Sequence, residues 1–162
     1  MKKSLSHLPK EKQTDLRLIA RYVVEVLGDQ CEMIILYGSY ARGNYVDYDQ
    51  RIEFGIPTYF MSDFDILVIT RNDCNSSGIS RQLEKVEDRY YKYKGMGRYV
   101  FTTHIHFIDE TIKDFNKEIT KSRYFYTDIK KEGILLYDSG NCKLARRRKL
   151  NFSEIGELGQ EY

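Results

Sequence analysis

The 162-residue sequence predicts an α/β fold of the α+β kind: a small mixed, mostly antiparallel sheet with helices packed mainly on one face. Three observations lead there. Apolar residues recur at helical spacing in three stretches, short β-forming apolar runs stand between them, and the elements follow as helix, strand, helical turn, strand, helix, strand. The length suits one compact core, domains of roughly 100–150 residues being the commonest.

The first helix is expected in "PKEKQTDLRLIARYVVEVLG", where Leu16, Ile19, Ala20, Val23 and Leu27 share a face; Pro9 suits the first turn and Gly28 the stop. "CEMIILYG", Cys31 to Gly38, reads as a buried strand feeding a tight turn. A second strand is expected over Phe60 to Thr70, "FMSDFDILVIT", ending at the polar loop "RNDCNSSG". Ile79, Leu83, Val86 and Tyr90 then mark "SRQLEKVEDRYYKY" as a helix with its apolar stripe on the sheet. In the strand expected for "GMGRYVFTTHIHFID", Phe101, Thr103, Ile105 and Phe107 share one face, and Val100, Thr102, His104 and His106 the other. Ile112, Phe115 and Ile119 mark a third helix, and "EGILLYDSG" a last short strand.

The stretch "YVDYDQRIEFGIPTYF" is aromatic and β-branched with a Gly-Ile-Pro break, so an insert at about 44–60 is expected to form a hairpin or extended flap. Residues 1–145 read as one domain. Residues 146–162 read as a basic linker and the start of a C-terminal helix near Ser153 and Glu154.

Charge is nearly balanced, 26 basic against 24 acidic residues, so no global field favours nucleic acid. The local exception is "KLARRRKL", Lys143 to Leu150, read first as a solvated tail and second as a binding patch. Cys31, Cys74 and Cys142 are too few and too scattered for a disulfide framework or a zinc site, which fits a reducing cytoplasm. No apolar run approaches the roughly 18 residues of a membrane span, and "MKKSLSHLPKEK" has no signal-peptide core, so no membrane association is expected.

Two short motifs carry the chemistry. Asp63 and Asp65 alternate at the start of a strand, so both carboxylates leave one face. Carboxylates so close repel unless a cation lies between them, and a hard divalent ion takes one or two carboxylates plus phosphate oxygens. In "YGSYARGN", Gly38 follows a buried strand and lets the backbone approach a phosphate, while Ser39 adds a hydroxyl donor. Either motif alone is most often a turn or a solvated strand end. The pair, 23 residues apart between Ser39 and Asp63, could hold a triphosphate and its metal if folding joins them.

"GSYARG" followed by "SDFDILV" resembles the signature of the minimal nucleotidyltransferases of the polymerase-β superfamily, over roughly residues 34–137. The opening "HLPKEKQ", the long insert and "YFYTDIKKEGILLYDSG" are most similar to bacterial members in which such a domain precedes or pairs with a HEPN domain. The resemblance implies a polymerase-β-like fold, triphosphate binding by Gly38 and Ser39, and Mg²⁺ (or Mn²⁺) held by Asp63 and Asp65 as the catalytic carboxylates. Arg42 and Gly43 would complete the turn, Arg42 either touching nucleotide or pinning the turn. The implied reaction moves a nucleoside monophosphate, AMP from ATP first among them, to a hydroxyl acceptor, with a tyrosine of a HEPN partner as one candidate and toxin neutralisation as its setting.

Two features depart from that pattern. The insert roughly doubles the usual gap between the motifs, at a closure cost that grows slowly with length. The strand that normally carries a third carboxylate reads "TTHIHFID", leaving His104 or His106 as low-ranking substitutes, with Asp109, Glu53 and Asp47 as further choices. The alternatives are therefore a catalytically weak module that binds nucleotide or a HEPN partner, antitoxin-like, and an RNA-binding accessory domain. Fourteen tyrosines and eight phenylalanines also offer stacking surfaces; Tyr45 and Tyr59 are candidates for a base, against the commoner role of covering the sheet.

Overall fold

The computed structural model describes residues 1–47, 49–53, 56–95 and 102–146, with 49–53 and 56–60 entering by backbone alone. Helix α1 (Lys10–Leu27) follows Pro9 and stops at Gly28, whose φ of 59° ends the helical path. Strand β1 (Cys31–Tyr37) leads into the five-residue helix α2 (Gly38–Arg42), closed by Gly43 in the left-handed region. Strands β2 (Asp49–Glu53) and β3 (Ile56–Phe60) pair antiparallel as the hairpin expected of the insert. Strand β4 (Phe64–Thr70) starts four residues later than the sequence suggests, because Phe60 belongs to the hairpin. Helix α3 (Ser76–Lys94), strand β5 (Ile105–Thr111), helices α4 (Ile112–Thr120) and α5 (Tyr124–Glu132) and strand β6 (Ile134–Asp138) complete the described chain. Val100 and Phe101, and the helix expected near Ser153, lie outside the described residues.

The main sheet runs in the order β5-β4-β1-β6; β1 is antiparallel to both neighbours, and β4 and β5 are parallel across the α3 crossover. The sheet is therefore mixed and mostly antiparallel. The expected one-sided helix cover is corrected: both faces are buried. On one face Ile34, Leu36, Phe64, Ile66 and Val68 pack with Leu16, Ile19 and Val23 of α1 and Ile79, Leu83, Val86 and Tyr90 of α3. On the other, Met33, Ile35, Leu67 and Ile69 meet Phe115 and Ile119 of α4 and Ile129 of α5. The physical reason is that successive strand residues point to opposite faces, so fully apolar runs such as Met33–Leu36 and Ile66–Ile69 need a partner layer on each side. No helix among the described residues is long and apolar enough to cross a membrane.

The hairpin leaves the body through a narrow neck. Val46 N–H donates to Ser62 Oγ and Ser62 N–H donates to the Val46 carbonyl, both at 2.8 Å, so the chain re-enters the body where it left it. The stretch between Val46 and Ser62 is thus closed at its base and does not push the two motifs apart.

Glu110, on the α4/α5 face of β5, accepts a 2.5 Å hydrogen bond from the Tyr126 hydroxyl, while its second oxygen is buried without a hydrogen-bond partner among the described residues. Burial pushes its carboxyl pKa up, only partly offset by the Tyr126 bond. A carboxyl whose folded pKa lies above its unfolded value favours the fold in its protonated form, and that contribution is lost as pH rises through the folded pKa. Glu110→Gln keeps an acceptor for Tyr126 and removes the charge. The variant should melt higher than the parent at pH 7, and the gap should close below the unfolded pKa of Glu110, as thermal unfolding followed by circular dichroism would show.

Candidate active site

The site forms where β1 ends. Tyr37, its last residue, is the register partner of Asp65 on β4, so the chain turns into α2 directly beside that carboxylate. Gly38 has a φ of 76°, and a Cβ built on it would collide with Asp65 Oδ2 and lie 3.1 Å from Asp65 Cγ. Glycine is needed twice over here, for its backbone angle and for the absence of a side chain. Ser39 follows, half-buried, and its carbonyl accepts the amides of Gly43 at 2.8 Å and Asn44 at 3.2 Å, which closes the elbow.

The elbow is held from behind by the N-terminal segment. His7 Nε2 bonds the Tyr40 carbonyl at 2.7 Å, and Lys12 donates to Thr103 Oγ1 at 2.8 Å and pairs with Asp47 at 3.0 Å. Asp47 is thereby turned to Lys12. Tyr45, a candidate for stacking on a base, is instead stacked on Tyr40 with centroids 4.2 Å apart, which gives its ring a packing role.

The structure brings Gly38, Ser39 and Asp65 together, with Asp63 exposed one residue ahead of β4. Of the residues that could stand in for a third carboxylate, His106 is the register partner of Asp65 on β5, and its Nδ1 lies 3.2 Å from Asp65 Oδ1. His104 is exposed, its ring 5.6 Å from that of Tyr91. Asp109 is on the opposite face of β5, 3.2 Å from Ser76 Oγ. The side chain of Glu53, like that of Tyr59, lies outside the description. Arg42 reaches across to α5, its guanidinium 3.7 Å from the Glu132 carboxylate, an exposed pair of small energetic weight.

Burial pushes the Asp65 carboxyl pKa up; the His106 hydrogen bond and charge pull against this, Asp63 adds to the rise, Arg42 opposes it, and the net direction is upward. A cation at the carboxylate would reverse that direction by stabilising the ionised form. The neighbouring Tyr37 hydroxyl is pushed up to about 12, by burial first and by Asp65 second. Among the described residues, no group of three or more His, Cys, Asp or Glu is arranged to hold a metal.

A cleft of about 140 Å³ opens beside Gly38, lined by Tyr37, Arg42, Phe125, Asp128, Ile129 and Glu132. Its α5 wall was not foreseen from sequence. The signal was present in the four-residue spacing of Asp128 and Glu132, which puts both acids on one side of a helix.

Comparison with protein-family models, with curated proteins and with solved structures finds no match to the chain.

Gly38→Ala tests the elbow. Strain at a positive φ together with the clash against Asp65 should destabilise the protein by about 1–3 kcal/mol, or displace the Asp65 carboxylate. Urea unfolding reads the first effect, and the chemical shift of the His106 ring protons reads the second.

Proposed function

We propose that this domain is a metal-dependent nucleotidyltransferase of polymerase-β-like fold that moves a nucleoside monophosphate, AMP from ATP first among the candidates, to a hydroxyl acceptor. The observation that carries the reading is the meeting of Gly38 with the Asp65 carboxylate: the two halves of the motif, separated in sequence, lie side by side. Phosphate needs backbone that it can approach closely, and its counter-cation needs carboxylate oxygen beside it.

In this reading Gly38 lets the Asp65 carboxylate lie against the elbow, and Ser39 beside it offers its hydroxyl to a phosphate oxygen. Asp65, with Asp63 in support, supplies the negative charge opposite. The cation, when bound, would offset phosphate charge and polarise the α-phosphorus toward in-line attack. Asp65 on β4 and His106 on β5 stand on rigid neighbouring strands, so their relative positions need no rearrangement when substrate arrives. An imidazole can accept the proton of an attacking hydroxyl near neutral pH, the task a third carboxylate would otherwise perform.

A second reading is favoured by one specific observation. The register position opposite Asp65 holds His106 and not an acid, which suits a module that binds nucleotide, or a HEPN partner, with little turnover. The HEPN association, with a partner tyrosine as acceptor, rests on the sequence resemblance.

The purified chain incubated with α-labelled ATP and a divalent cation should release pyrophosphate and label an acceptor hydroxyl. Asp65→Ala should lower that rate by about a hundredfold or more while the protein stays folded. ATP binding without turnover in the parent protein would favour the second reading, and transfer that survives Asp65→Ala would overturn the assignment of the site.

A further inference from the structure

Helix α5 is the least embedded of the helices, and one buried acid governs how it is held. Of its nine residues only Ile129 is buried, against seven of the eighteen in α1, and its N-cap residue Arg123 provides no side-chain cap. A helix of that length is marginal alone, so α5 persists through its docking contacts. Its C-terminal end is fitted tightly: a Cβ built on Gly133 would collide with the Ile129 carbonyl and lie 2.8 Å from Ile35 Cγ2 of β1. The other end is held through Tyr126, whose hydroxyl donates to Glu110 Oε1 on β5, while Glu110 Oε2 is buried without a hydrogen-bond partner among the described residues.

The surroundings of Glu110 suit a proton and oppose a charge. Tyr126 donates from α5, α4 presents Asp114 and Glu118, its own strand adds Asp109, and its register partner on β4 is the apolar Ile69. The nearby cations are engaged elsewhere: Arg123 lies 3.5 Å from Glu118, and Lys130 donates to the Ala145 carbonyl. An ionised Glu110 would therefore hold one charged oxygen out of water with like charges on α4. We infer that α5 is a proton-linked flap over the cleft beside Gly38: protonated Glu110 keeps its Tyr126 end docked, and ionised Glu110 releases it.

Release opens the cleft, because Phe125, Asp128, Ile129 and Glu132 form its α5 wall. It also parts Phe125 from Tyr37, packed edge-on with centroids 6.0 Å apart, and Glu132 from Arg42. The direction with pH follows from linkage. Burial raises the Glu110 pKa in the docked state, so docking is at full strength below the ordinary glutamate value of 4.5 and weakens as pH rises through the raised value. The flap serves any ligand of the cleft and does not depend on the proposed reaction.

Amide hydrogen exchange on the full chain, without nucleotide or metal, tests the flap when expressed as protection factors, which remove the intrinsic pH dependence of exchange. The amides of Asp128 to Lys131, bonded within α5, should lose protection by about tenfold or more between about pH 4 and pH 8, while those of β1 and β4 keep theirs. Glu110→Gln keeps an acceptor for Tyr126 and should hold α5 protected across the whole range. Tyr126→Phe removes the donor and should deepen the loss at high pH, which reads the same contact even where Glu110→Gln does not fold. Level protection of α5 across pH in the parent protein, or an equal loss in Glu110→Gln, would show that Glu110 does not govern the helix.

Discussion

The antiparallel register of β1 on β4 is the constraint from which the rest of the site follows. Tyr37 opposite Asp65 puts the end of one strand beside the carboxylate of the other, and only then does the turn at Gly38 have something to close against. A slip of one residue would exchange the two faces of β4, sending Asp65 into the layer that Phe64 and Ile66 share with α1 and α3. That slip is opposed by the apolar side chains themselves. Ile34 and Leu36 on one face, and Met33 and Ile35 on the other, are each matched to a helical layer, and each fully buried side chain of this size contributes about 1.5–3 kcal/mol.

The local chemistry depends on the same packing. Asp65 is held partly out of water by the sheet edge and α2, which makes its charge costly without a partner, and the available partners approach from different sides. His106 comes from the parallel neighbour β5, Arg42 from α2 with its head turned toward α5, and Asp63 from the strand entry. Burial and Asp63 raise its proton affinity, while His106 and Arg42 lower it.

Much of this was legible in the sequence because the signals were local. The stripes of α1 and α3, the turn at Gly38 and the hairpin in the insert each rest on spacing or on a glycine. The second helical layer is also written in the strands: "MIIL" and "ILVI" lack the polar alternation of a half-exposed strand, and a continuous apolar run calls for cover on both sides. Other features were set by long-range pairing that no window of sequence contains. The choice of His106 over His104 follows from the register of β5 on β4, and the assignment of Asp47 to Lys12 follows from where α1 passes the elbow. Tyr45 illustrates the limit of composition as a guide, since an aromatic near a site is as well suited to packing on another aromatic as to receiving a base.

The two hydrogen bonds that join Val46 to Ser62 also uncouple the length of the insert from the geometry of the body. The hairpin beyond that clasp can change in length while the corner between Gly38 and Asp65 keeps its dimensions. Remodelling of the protrusion would therefore leave untouched the way the elbow at Gly38 is brought against the Asp65 carboxylate.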